Sequence, residues 1–163
     1  MPRGASYATV STFASDLGNT AIFPALVTGG CLHVVSEEDA VDPDALAATF
    51  RQRPVDVLKI VPSHLEALLS GRTPAAGLPR QVLVLGGERA TWELVERVRA
   101  LAPGLRVFNH YGPTETCVGV LTHEIAAEPA AARARGALPL GVPLPNVEVE
   151  IVDQRGHAVP VGV

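Results

Sequence analysis

Short apolar runs alternate along the chain with stretches in which apolar positions recur every three or four residues. Runs at 8–12, 31–35, 57–61, 81–85 and 105–108 have strand length, and most are rich in Val, Ile and Leu. Between them, 20–27, 43–53, 62–69 and 92–102 carry helical spacing. Asp42-Pro43 sets a capping carboxylate ahead of a proline suited to the first helical position. Thr91 caps the segment to Ala102, on which Leu94, Val95, Val98 and Leu101 share one side, while Glu93, Glu96, Arg97 and Arg99 lie mostly on the other. Gly29-Gly30 and Pro103-Gly104 are stop signals. The alternation predicts an α/β fold, a parallel sheet flanked by helices.

Past Tyr111 the pattern changes. Helical spacing largely vanishes, 118–123 and 147–152 read as strands, and Asp153-Gln154-Arg155-Gly156 forms a turn into a short arm at 158–161. The Ala- and Arg-rich stretch 126–136 reads as an exposed connector. The chain thus divides into an α/β unit at 1–125 and a connector with further β-structure at 126–163, which stops inside an outgoing strand as if it were a piece of something longer.

With 163 residues and 47% apolar content, the chain can bury one core. Thirteen Lys and Arg against 17 Asp and Glu give a net charge of -4, which leaves no electrostatic footprint for nucleic acid or an anionic membrane and favours small ligands. Cys31 and Cys117 form neither a zinc cage nor a disulfide framework. No apolar run nears the roughly 18 residues of a membrane span, and Met1-Pro2-Arg3-Gly4 is no signal peptide, so a cytoplasmic location is expected. Twelve of the 13 basic residues are Arg, and Lys59 is the only lysine.

Ligands of open parallel sheets bind beyond the carboxyl ends of the strands. That rule selects Asp16-Leu17, Lys59, Gly86-Gly87-Glu88 and the run Asn109-His110-Tyr111-Gly112-Pro113-Thr114-Glu115. The last combines an aromatic face, a hydroxyl and a carboxylate, able to stack on a base, bond a phosphate and hold Mg2+. The same spacing serves equally a Gly-Pro turn with solvated ends. Gly86-Gly87-Glu88 permits close ligand approach, though tight turns use glycine in the same way. Lys59 interrupts the apolar run Val57-Leu58-Lys59-Ile60-Val61, where its ammonium needs a partner or a route to water. His33, His64, His123 and His157 lack metal-ligand spacing.

Together these segments resemble the central part of an adenylation domain of a nonribosomal peptide synthetase, in the adenylate-forming ligase superfamily. Residues 109–115 are similar to the family's most specific signature, Val84-Leu85-Gly86-Gly87-Glu88 to its upstream strand and turn, and Gly141-Val142-Pro143 with the 153–162 hairpin to the start of its β-barrel subdomain. Residues 11–20 resemble the substrate-pocket core. The resemblance implies that an amino acid's carboxylate is joined to the α-phosphate of Mg-ATP to give aminoacyl-AMP, which then passes to the phosphopantetheine thiol of a peptidyl carrier protein. It implies that Tyr111 stacks on adenine, that Asn109, His110, Gly87 and Glu88 border it, that Thr114 contacts phosphate and that Glu115 holds Mg2+.

The same resemblance assigns the substrate pocket to Asp16, Leu17, Thr20, Lys59, Val84, Gly86, His110, Val118 and Gly119, a set similar to that of aspartate-activating domains. Asp16 would pair with the substrate ammonium and Lys59 with its side-chain carboxylate; asparagine and β-hydroxyaspartate are the near alternatives. The sequence has no Gly/Ser/Thr-rich phosphate loop, no ribose-binding Asp and no C-terminal catalytic lysine, so this chain alone is expected to be inactive and to need the rest of the domain. A free-standing nucleotide-binding module and a non-catalytic interaction remnant of a synthetase are the rival readings.

Overall fold

A computed structural model of the protein describes residues 2–113, 118–126 and 136–160. The apolar runs become β1 (Ser6–Thr9), β2 (Cys31–Val34), β3 (Val57–Ile60), β4 (Val82–Gly86) and β5 (Arg106–Tyr111), all mutually parallel. Two antiparallel strands, β6 (Leu121–Glu124) and β7 (Val142–Pro143), extend this into a mixed seven-stranded sheet of order β2-β1-β3-β4-β5-β6-β7. The chain leaves β1 for β2 on one side and returns to β3 on the other. This reversal makes a topological switch point at the carboxyl ends of β1 and β3.

The helices are α1 (Asn19–Val27), α2 (Glu37–Val41), α3 (Pro43–Gln52), α4 (Pro62–Leu68) and α5 (Trp92–Leu101). Asp42 Oδ1 accepts from the Asp44 and Ala45 N–H groups at 2.8 and 3.0 Å, and Thr91 Oγ1 accepts from Leu94 N–H at 3.2 Å. Each satisfies amides that the first helical turn leaves without partners.

Side chains alternate across the strands, so the sheet builds two cores. Leu58, Ile60, Leu83, Leu85 and Val107 pack on Leu46 and Phe50 of α3, Leu65 and Leu68 of α4, and Leu94, Val95 and Val98 of α5. On the opposite face, Tyr7, Val57, Val82 and Val84 meet Ala21 and Ala25 of α1. That face is covered over β1 to β3 and open over β4 to β6. Beneath β1 and β3, the buried Asp56 carboxylate accepts from Ser6 N–H at 2.9 Å and from Arg80 Nε at 3.0 Å.

Several elements depart from the sequence pattern. The first strand forms at Ser6–Thr9 rather than 8–12, because Asp56 anchors Ser6 and Thr12 Oγ1 accepts from Ala14 N–H to start a turn. Helix α2 was not signalled by apolar spacing. It forms because Ser36 Oγ accepts from Asp39 N–H at 3.1 Å and Glu37, Glu38 and Asp39 fill a first turn that favours negative charge. The strand expected at 118–123 is confined to Leu121–Glu124. The strand expected at 147–152 does not form a ladder: one bridge joins Val152 to Ala158 around a turn in which Asp153 Oδ1 accepts from the Arg155 and His157 N–H groups. Val149 and Ile151 are 49% and 71% exposed, so their alternation has no sheet face to bury against. Among the described residues no helix is long and apolar enough to cross a membrane.

Candidate functional site

The period of two in β3, β4 and β5 sends Lys59, Val84, Gly86, Phe108 and His110 to the face that carries α1. Register then sets Lys59 beside Val84 and Gly86 beside His110. Two cavities open here. The larger, about 870 Å³, lies between α1 and the uncovered sheet and is lined by Thr20, Phe23, Val84, Phe108, His110, Val118 and Gly119, among others. The smaller, about 610 Å³, lies beyond the strand ends and is lined by Asp16, Leu17, Gly87, Glu88, Asn109, His110, Tyr111 and Val118, among others. His110 and Val118 belong to both, so the cavities share a wall.

Lys59 is 4% exposed and lines neither cavity. Its ammonium lies behind that wall, donating to Thr20 Oγ1 at 3.0 Å and meeting His110 Nδ1 at 2.9 Å. Burial, then the Lys59 charge, push the His110 pKa down to about 4, so the ring is neutral near pH 7.

Gly86 also lies behind the wall. A Cβ there would stand 2.7 Å from the His110 carbonyl oxygen, and one at Gly119 would collide with His110 Nε2. Gly119 leaves the space that the His110 ring fills, and Gly86 admits the His110 backbone carbonyl and the end of Lys59.

On the smaller cavity, Gly87 adopts φ +86°, a conformation disfavoured for side-chain-bearing residues. The Glu88 carboxylate turns away to accept from Ser63 N–H and Oγ–H at 3.1 and 2.9 Å, capping α4, which leaves the backbone of residues 87–88 along the cavity. Asn109 is 7% exposed and its Nδ2 donates to the Pro139 carbonyl at 2.8 Å, tying the end of β5 to the segment before β7. Tyr111 presents a ring at the rim, and Asp16 is exposed in a tight turn at Asp16–Gly18 capped by Ser15. Thr114 and Glu115 lie outside the described residues. No group of three or more His, Cys, Asp or Glu among the described residues could hold a metal ion.

Sequence reasoning missed Phe23, Phe108 and Arg106, which line the larger cavity. The signal was available: Phe23 is one helical turn from Thr20, and Phe108 and Arg106 precede His110 at strand spacing. Arg106 forms a bidentate pair with Glu124 at 2.6 and 2.8 Å, its guanidinium 5.0 Å from the Phe108 ring centre.

Comparison with known proteins matches residues 1–163 to the family model described as AMP-binding enzyme. The chain is 35% identical to tyrocidine synthase 3 of Brevibacillus parabrevis, over 93% of its own length and 2% of that protein's. It is 30% identical to the D-alanine–D-alanyl carrier protein ligase of Bacillus velezensis, over 98% of its length and 32% of the ligase. In structure it superposes on the nonribosomal peptide synthetase FmoA3 with a TM-score of 0.82 and 29% identity, covering 96% of this chain and 17% of that one. The chain therefore spans a small part of the relatives it matches.

Proposed function

From the premise that the chain belongs to the AMP-binding enzyme family, we propose that it forms the substrate- and nucleotide-binding core of an adenylation domain. That domain would join an amino acid's carboxylate oxygen to the α-phosphorus of ATP, with pyrophosphate leaving, and then transfer the acyl group to the phosphopantetheine thiol of a peptidyl carrier protein. In this reading residues 1–125 are the α/β subdomain, and 126–163 lead into a β-barrel subdomain supplied with the rest of the domain.

The observation that carries the reading is the shared wall: two cavities meeting at His110 and Val118 suit two ligands whose reacting ends must touch. The smaller cavity has what adenine needs, a flat exposed ring at Tyr111 and the glycine turn whose backbone can approach a base. Asp16 on its rim would take the substrate ammonium. Thr114 is assigned to phosphate and Glu115 to Mg2+; one carboxylate with phosphate oxygens and waters suffices for that cation. When bound, Mg2+ would neutralise charge on the phosphates.

The larger cavity would take the side chain, and its polar end selects L-aspartate. Thr20, Val84, His110, Val118 and Gly119 line it, Lys59 and Gly86 stand behind its wall, and Leu17 lies on the adjoining smaller cavity. Asparagine would leave the Lys59 charge unmatched. The test is amino-acid-dependent exchange of pyrophosphate into ATP by the longer protein carrying this chain. Aspartate is expected to lead the panel and Lys59→Leu to erase its lead. Preference for a large apolar amino acid refutes the substrate, and no exchange with any amino acid refutes the activity.

A further inference from the structure

We propose that His110 is a positioning residue whose Nδ1, together with Thr20, holds Lys59 as a charged ammonium directly behind the wall of the side-chain cavity. The proposal deepens the substrate reading above and rests on it for its purpose, though not for its geometry.

Lys59 enters the wall between Leu58 and Ile60, both fully buried, and is itself 4% exposed. Burial of this kind favours the uncharged amine, and acceptors around the nitrogen favour the charged form. Among the described residues, Thr20 Oγ1 lies at 3.0 Å and His110 Nδ1 at 2.9 Å. An ammonium has donors and no acceptor, so Nδ1 must offer its lone pair, and the ring proton then sits on Nε2.

The surrounding sequence is cut to fit this ring. Gly86 is the register partner of His110, and a Cβ there would stand 2.7 Å from the His110 carbonyl oxygen and 3.3 Å from Lys59 Cε. At Gly119 a Cβ would collide with His110 Nε2 and Cε1. A methyl group at Gly119 displaces the ring, and one at Gly86 crowds both partners. The glycines therefore serve the Lys59–His110 contact rather than the breadth of the cavity. His110 then acts on a substrate through Lys59, as the acceptor that keeps the cation charged and fixed behind the cavity wall.

Other ionisable groups lining the cavities are Asp16, Glu88, Arg89 and Tyr111 on the smaller and Arg106, paired with Glu124, on the larger. Changing His110 alone separates its effect from theirs. Because Lys59 is the only lysine, protein made with 13C at lysine Cε gives a single side-chain signal. The pH midpoint of that signal in the wild-type protein is the reference. His110→Leu should lower the midpoint by about one pH unit or more, the loss of one hydrogen bond to a charged group. His110→Asn, whose Oδ1 can stand where Nδ1 stood, should restore most of that shift, and His110→Gln, whose acceptor falls at the Nε2 end, should not.

A Leu variant with the wild-type midpoint, or an Asn variant no better than Leu or Gln, overturns the proposal. If the Leu variant does not fold, the imidazole nitrogen shifts of the wild-type protein decide: a lone pair on Nδ1 supports it and a proton there overturns it. Pyrophosphate exchange by the longer protein tests the substrate separately. Lys59 responding as expected without aspartate preference would leave the role of His110 standing and the substrate reading failed; aspartate preference with an unresponsive Lys59 would do the reverse.

Discussion

Acidification from about pH 7 to 4.5 should destabilise this fold by about 2 kcal/mol through His110 alone. Its folded pKa is held at about 4 against the ordinary histidine value of 6.5. Between those values the unfolded chain binds a proton that the folded ring refuses, so stability rises with pH. The contribution is complete above the unfolded value and is lost as pH falls toward the folded one. The full gap converts to about 3.4 kcal/mol at 1.36 kcal/mol per unit, and the ring's partial exposure to the cavities reduces it to about 2. Asp56, held low by the hydrogen bonds from Ser6, Gln81 and Arg80 that outweigh its burial, also loses stabilisation in acid, but below its ordinary value of 3.8. The interval from about pH 6.5 to 5 therefore isolates His110. Urea unfolding at half-unit steps, for wild type and His110→Asn, gives the comparison. The variant should lose about 1 to 2 kcal/mol less than wild type over that interval; parallel curves would refute a neutral, buried ring.

Two further changes probe the same framework. Gly119→Ala should cost about 2 to 3 kcal/mol in urea unfolding, since its Cβ overlaps His110 and displaces the acceptor from Lys59, and it should also flatten the acid dependence; a loss below about 0.5 kcal/mol would mean the ring can move freely. Asp56→Ala should cost about 1 to 3 kcal/mol by leaving the Ser6 donors at the start of β1 without their acceptor, read as a lowered urea midpoint with unchanged slope.

Much of the fold was legible because its signals are local. The caps at Asp42 and Thr91 act within three residues, and the apolar runs of β3 and β4 are buried on both faces, so composition alone marks them. The strand expected at 147–152 failed because an alternating pattern states only that a segment could bury one face, and no sheet stands beside Val149 and Ile151. Helix α2 escaped notice because it is built from charge and a cap rather than apolar spacing. In the site, Lys59 could be marked as needing a partner, but the identity of that partner could not: Thr20 and His110 lie 39 and 51 residues away and arrive only through strand register and the seating of α1. The roles of Gly86 and Gly119 were hidden for the same reason, since a glycine's sequence neighbours do not reveal which distant atoms, the His110 carbonyl at Gly86 and the His110 ring at Gly119, occupy the space it leaves.

The wall shared by the two cavities has a thermodynamic consequence. Ligands on either side of one imidazole and one valine cannot bind independently unless neither moves them. Any displacement of His110 that favours one occupant changes the affinity for the other by a factor that is the same in both directions. Substitutions that re-cut the larger cavity for a different side chain will therefore be felt as altered affinity in the smaller one, most strongly at residues 110 and 118. Changes at Phe23 or Phe108, which line the larger cavity alone, leave that linkage intact.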